Sequence, residues 1–198
     1  MSSIKLTADS GGGTFEIKAP SSSSNTRVLT IPDVAGTLST VTGLTMVDQW
    51  RINSNFTFSN NSAVDITANW ERNDNTGYGP IGSAMTESSG IFNFPITGKY
   101  LIMAYAQFYA SSGSHSSFGV FIHKKSGSGG SFGNVASGHS SGYTTNAYAY
   151  AQAQFIMDVT DTTNDQVKMQ AIGNTGRQIL SSSVSQRTGF TFLRLGDT

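Results

Sequence analysis

The chain has 198 residues, of which only 12% are charged, with 12 Lys and Arg against 12 Asp and Glu. That balance excludes nucleic acid as the main partner, because such a partner needs clustered cations to displace counterions from phosphates. The lack of cysteine excludes a disulfide framework and thiolate metal sites, so stability must come from packing or from assembly.

The N-terminus, MSSIKLTADS, has no basic segment followed by a long apolar core. No window approaches the ~20 apolar residues of a spanning helix, so the expectation is a chain made in soluble form without membrane insertion. Residues 1–45 read as an extended β-arm. In SIKLTADSGGGTFEIKAP, two short alternating segments carry Ile4, Leu6, Phe15 and Ile17, and Gly11–Gly13 supply the turn between them. A polar SSSSNT stretch follows, then RVLTIPDVAGTLSTVTG with Leu29 and Ile31. An isolated hairpin is marginal in water, so this arm is expected to be ordered by packing on other chains through these six apolar residues.

From residue 46 to 198 short alternating strands are separated by turn clusters. They are predicted at Trp50–Ile52, Phe56–Phe58, Val64–Trp70, Ile91–Phe94, Tyr100–Tyr109, Phe118–His123, Ala147–Met157, Gln166–Ile172, Gln178–Val184 and Phe190–Leu195. No stretch shows a sustained 3.6-residue apolar repeat, and the pattern predicts an all-β sandwich. Three of these strands have two apolar faces. Tyr100, Ile102, Ala104, Ala106 and Phe108 alternate with Leu101, Met103, Tyr105, Gln107 and Tyr109. Likewise Ala147, Ala149, Ala151, Ala153 and Phe155 alternate with Tyr148, Tyr150, Gln152, Gln154 and Ile156, and Phe190 and Phe192 with Thr191, Leu193 and Leu195. A two-layer sandwich needs one apolar face per strand, so the second face implies a sister subunit or, alternatively, cover by a long loop. The candidate interface residues are Tyr105, Tyr109, Tyr148, Tyr150, Phe190 and Phe192.

GIFNFPITGKYLIMAYAQFY, through Gly90, Phe92, Phe94, Pro95, Gly98 and Tyr100, resembles the strand-turn-strand of the jelly-roll heads of the complement and tumour-necrosis-factor superfamily. Asp165–Gln166–Val167 is similar to that family's penultimate hairpin, and GFTFLRLGD to its terminal strand. The resemblance covers residues 46–198 and implies a jelly roll that forms a compact homotrimer. The arm, through Lys18–Ala19–Pro20 and LTIPDVAGTL, resembles the N-terminal segments of tailed-bacteriophage fibre and virion proteins. Together the two resemblances imply a virion structural protein made in the host cytoplasm and placed on the tail or head exterior. It would be a trimeric tail fibre or spike, anchored to other virion proteins by its arm and displaying a head to a host-surface glycan or other receptor. A head fibre or capsid decoration protein and a polysaccharide-degrading tailspike are the alternatives.

Catalytic chemistry needs converging groups. His115, His123 and His139 lie in or beside loops without metal-ligand spacing, and Glu71 with Asp74 is a glycosidase-like pair only as any two carboxylates are. DVTDTTND has oxygen ligands suited to calcium, but lacks the spacing of an EF-hand loop, which leaves a capped turn as the leading reading. No enzyme activity, cofactor or metal is therefore expected. Isolated aromatics in small polar loops suit sugar stacking, and Tyr78, Phe132, His139 and Tyr143 are the candidate receptor-binding residues; the alternative is that each ring folds back onto the barrel end.

Overall fold

The computed structural model describes residues 3–7, 11, 14–18, 22, 43–111, 115–142 and 145–198. The chain divides into two units, Met1–Thr40 and Val41–Thr198. In the first, β1 (Ser3–Thr7) and β2 (Thr14–Lys18) pair antiparallel, with Ile4 in register with Ile17 and Leu6 with Phe15. Gly11, between them, takes φ +88°, a conformation open to glycine because it has no Cβ. Leu29 and Ile31 lie outside the described residues.

Every regular element described in the second unit is a strand. In chain order they are β3 (Val47–Ile52), β4 (Phe56–Thr57), β5 (Val64–Asp65), β6 (Trp70–Arg72), β7 (Thr86–Ser88) and β8 (Ile91–Asn93). The longer ones follow: β9 (Gly98–Ala110), β10 (His115–Lys125), β11 (Gly133–Gly142), β12 (Ala147–Val159), β13 (Gln166–Ile172), β14 (Gln178–Ile179) and β15 (Gly189–Gly196). One sheet runs β11-β10-β13-β8-β7, with β5 also on β13; the other runs β4-β14-β9-β15-β3-β6, with β12 on the free side of β9. The two antiparallel sheets form a jelly-roll sandwich, as the alternation and the resemblance led one to expect. The stretch predicted as one strand, Val64–Trp70, is broken in two, and Asn69 turns the chain at φ 65° just before β6.

Inward residues of both sheets make one core. Phe92 meets Trp50, Trp70 and Phe190 edge-on at ring-centroid distances of 5.4, 5.0 and 5.2 Å, and Phe108 stacks on Phe118 at 4.7 Å. These are the geometries that aromatic quadrupoles favour. The core thins where alanines face one another, Ala106 opposite Ala151 and Ala104 opposite Ala153. At this end β11 comes down onto β12. A Cβ on Gly138 would lie 1.8 Å from the Gln152 carbonyl oxygen, so only glycine permits that approach.

Two buried charges tie the irregular loop 73–85 to β3. Asp48 accepts hydrogen bonds from the backbone N–H groups of Gln49 and Met85, from Trp50 Nε1 and the Tyr78 hydroxyl at 2.9–3.0 Å, and from Arg72 Nε at 3.2 Å. On the opposite face of β3, Arg51 is fully buried. Its Nε donates to Glu71 at 2.7 Å, Nη1 to Asn73 and Asn75 at 3.1 and 2.9 Å, and Nη2 to Asp74 at 2.5 Å and to the Ser183 carbonyl. All five N–H groups of the guanidinium are thereby used. Removing one side of such a buried cluster leaves stranded charge. Arg51→Met is expected to lower stability by about 3 kcal/mol, the low end of the range for buried pairs because Asp74 is largely exposed. Urea unfolding measures this, and a loss under about 1 kcal/mol, as for a surface pair, would refute the pinning role.

Candidate functional site

The outward face of the sheet centred on β9 is the first candidate. Registers place Ile156, Leu101, Leu193 and Val47 side by side on β12, β9, β15 and β3, and a bridge from Val47 extends the row to Ile81. Cross-strand partners share a face, so five aliphatic side chains form a band about 19 Å across. Ile156 is 59% and Ile81 44% exposed, and Leu195 stands beside the bulge at the end of β15. The next row runs Gln154, Met103, Thr191 and Gln49, with Gln49 Nε2 donating to Thr191 Oγ1 at 3.0 Å. Farther along, Gln152 faces Tyr105, Tyr150 faces Gln107 and Tyr148 faces Tyr109.

Four of the six expected interface residues lie on this face. Tyr148 and Tyr150 are 65% and 53% exposed; the Tyr148 ring sits 5.1 Å from that of Tyr109, whose hydroxyl donates to Asn146 Oδ1 at 2.8 Å. Tyr105 is nearly buried beneath its neighbours, burial pushes its phenol well above the usual range, and its hydroxyl donates to Gln186 Oε1 at 2.8 Å. Phe190 and Phe192 are a correction: both are fully buried between the sheets of their own chain. Strand parity decides this, because β15 turns its phenylalanines to the Trp50–Trp70–Phe92 cluster and leaves Thr191 and Leu193 outward. Val47 and Ile81 escaped the sequence reading, since a single bridge between irregular segments leaves no local pattern.

The expected receptor residues separate. Tyr78 folds back: its hydroxyl donates to Asp48 Oδ1 and accepts from Gln49 N, both at 2.9 Å, which makes it part of the loop anchor and corrects its assignment to a receptor surface. Tyr143 lies outside the described residues. Phe132 and His139 both rest on the outer face of the other sheet, Phe132 with its ring centroid 4.8 Å from Lys168 Nζ and His139 edge-on to Phe121 at 5.3 Å. That face holds two registered rows, Ser137–Phe121–Gln170–Asp65 and Asn134–His123–Lys168–Ile91. Lys168 Nζ donates to Asp65 Oδ2 at 2.7 Å. Burial acts to raise the Asp65 pKa, but hydrogen bonds from Lys168 and Gln170 outweigh it and hold the carboxyl below its ordinary range. Burial, then the Lys168 charge, lowers the pKa of His123, which is neutral at pH 7.

The other carboxylates have structural tasks. Glu71 and Asp74 share the Arg51 guanidinium. Asp165 accepts from the backbone N–H groups of Gly127, Thr160 and Asp161 at 2.9–3.0 Å, and Asp161 accepts from Thr163 N and Asn164 Nδ2 at 2.9 and 2.7 Å. The Asn164 bond, then that of Thr163, keeps the Asp161 carboxyl below its ordinary pKa. The 158–165 stretch is thus a side-chain-capped turn. Among the described residues no three His, Asp or Glu side chains gather as a metal would require.

The sandwich, its strand order and its two outer faces define a tumour-necrosis-factor-like jelly roll. Solved structures similar to it include Eiger TNF from S. frugiperda, with a TM-score of 0.58 at 13% identity over 79% of this chain and 96% of that one. A crystal structure of murine APRIL at pH 5.0 matches with a TM-score of 0.54 at 12% identity, over 76% of this chain and 98% of that one. At such identities the likeness is one of fold. No family model matches the chain, and no curated protein matches it.

Tyr78 gives a pH test of the loop anchor. Burial, followed by the bond to Asp48, pushes its phenol up from 10.0 to about 12. The neutral phenol is the folded form, so its contribution is complete below the ordinary value of 10.0 and is lost as pH rises towards about 12. Tyr78→Phe is expected to remove one late-titrating phenol from the phenolate absorbance curve and to flatten the alkaline fall in thermal midpoint. An unchanged curve in the variant would contradict the anchor.

Proposed function

We propose that the chain is a virion structural protein of a tailed bacteriophage, a homotrimeric tail fibre or spike whose head meets a host-surface glycan without catalysing a reaction. Residues 1–45 attach it to other virion proteins, and residues 46–198 form the displayed head. The observation that carries the assembly is the five-residue aliphatic band, continued by Tyr148 and Tyr150, on a sheet face that no described strand of residues 43–198 covers. Contiguous exposed apolar surface of this kind marks an association site. Removing the exposed half of Ile156 from water stabilises by about 1 kcal/mol, and Ile81, Tyr148 and Tyr150 add gains of the same order. The jelly-roll resemblance supports three copies rather than two, and the arm resemblance supports the phage setting.

Three heads on one particle multiply weak contacts through effective concentration. A net charge of zero and sparse charged residues suit a particle surface that avoids indiscriminate electrostatic adhesion. Antibodies to the chain are expected to label the tail tip of the phage in electron micrographs, and the purified chain to slow phage adsorption in a dose-dependent way. Label spread over the capsid with unchanged adsorption would replace this reading by that of a head fibre or decoration protein. Absence of label from purified particles would refute a virion role.

A further inference from the structure

The outer face of the β10–β11–β13 sheet differs in chemistry from the assembly face. Among the described residues the exposed large apolar side chains are Leu44, Ile81, Ile96, Tyr148, Tyr150, Ile156, Val184 and Leu195, and none belongs to β10, β11 or β13. Protein-binding hot spots are enriched in tryptophan, tyrosine and arginine, and the two rows of this face hold none of these. It offers instead partly buried aromatic rings among bifunctional polar groups. Phe121 stands beside Gln170 and Ser137, and Phe132 lies over Lys168, next to His123 and Asn134.

We infer that this face is the glycan-binding site of the head and that it takes a neutral oligosaccharide. The inference rests on the host-glycan reading of the head given above. Three features select the ligand class. Amide, hydroxyl and neutral imidazole groups both donate and accept, as neighbouring sugar hydroxyls require, and Gln170, Asn134, Ser137 and His123 supply them in adjacent rows. Rings flanking such groups present apolar faces against which sugar C–H groups pack. Within the two rows the one ammonium, Lys168, and the one carboxylate, Asp65, neutralise each other at 2.7 Å, so these rows hold no free cation for an acidic sugar, while Lys125 stands in the next row with its Nζ 3.5 Å from Gln166 Oε1. Four strands span the row from Ser137 to Asp65, about 14 Å, a footprint suited to a short oligosaccharide rather than one ring.

The geometry also fits the assembly. The two outer faces lie on opposite sides of the sandwich, so a subunit that buries its β9–β12–β15 face against its sisters keeps this one open to solvent. The Lys168–Asp65 pair and the Phe132 ring preorganise the site, which limits the ordering cost of binding.

The test is binding of the full-length protein to an array of neutral and acidic oligosaccharides, followed by calorimetric titration of Phe132→Ala, Phe132→Trp, Gln170→Ala and Val184→Ser. Circular dichroism and solution mass confirm that each variant is folded as the wild type is. Neutral glycans are expected to bind, with Phe132→Ala and Gln170→Ala each weakening affinity about tenfold. Phe132→Trp is expected to retain binding, and Val184→Ser, exposed on another loop, to leave it unchanged. Neutral-glycan binding that survives both alanine variants overturns this site while leaving a glycan-binding head intact. Recognition of acidic glycans alone overturns the ligand class. A wild-type protein that slows phage adsorption yet binds no glycan overturns the glycan reading itself.

Discussion

A β-strand turns alternate side chains to opposite sides, and β9 is long enough to make that constraint govern the whole head. Its inward residues, Tyr100, Ile102, Ala104, Ala106, Phe108 and Ala110, are all fully buried between the sheets. Its outward residues cannot reach that core whatever their hydrophobicity. Because β12 and β15 are in register with β9 on either side, the outward residues of three strands fall into common rows. The aliphatic band is therefore a consequence of register: residues far apart in sequence are aligned by one ladder, and a one-residue slip in any strand would send its share of the band into the core.

The polar anchors serve that sheet. β3 lies at the end of the band, and both its faces carry a buried charge, Asp48 inward and Arg51 outward. Neither charge is left to solvent, since each is saturated by hydrogen bonds from the loop that follows β6 and, for Arg51, from the loop before β15. Buried ion pairs often add little net stability against an apolar replacement, but they are demanding about geometry. Here that demand fixes the path of residues 73–85, and with it the position of Ile81 at the end of the band.

Much of this could be read in the sequence, and the limits are physical. Strand parity is plain in residues 100–109 and 147–157, where unbroken alternation puts Tyr148 and Tyr150 on one face together, opposite the alanines. The same alternation is visible in β15, but with apolar residues on both faces it leaves open which side is inward, and only the register with β9 turns Phe190 and Phe192 to the core. β11 went unseen because GNVASGHSSG has no apolar alternation. Its place is set by β10 beside it and by Gly138 against β12, both tertiary effects. Tyr78 looked like an exposed ring in a turn, and its hydroxyl partner lies 30 residues upstream. Phe132 and His139 share a sheet face, but the groups that give the face its chemistry, Gln170, Lys168 and Asp65, come from strands distant in sequence from both.

The central claim is that the outward face of β9, β12 and β15 belongs between subunits. Light scattering of the full-length chain during size-exclusion chromatography, repeated over a dilution series, tests it most directly. The account predicts a mass three times the 21.0 kDa of one chain, maintained on dilution. A well-folded species of 21.0 kDa at every concentration would contradict it.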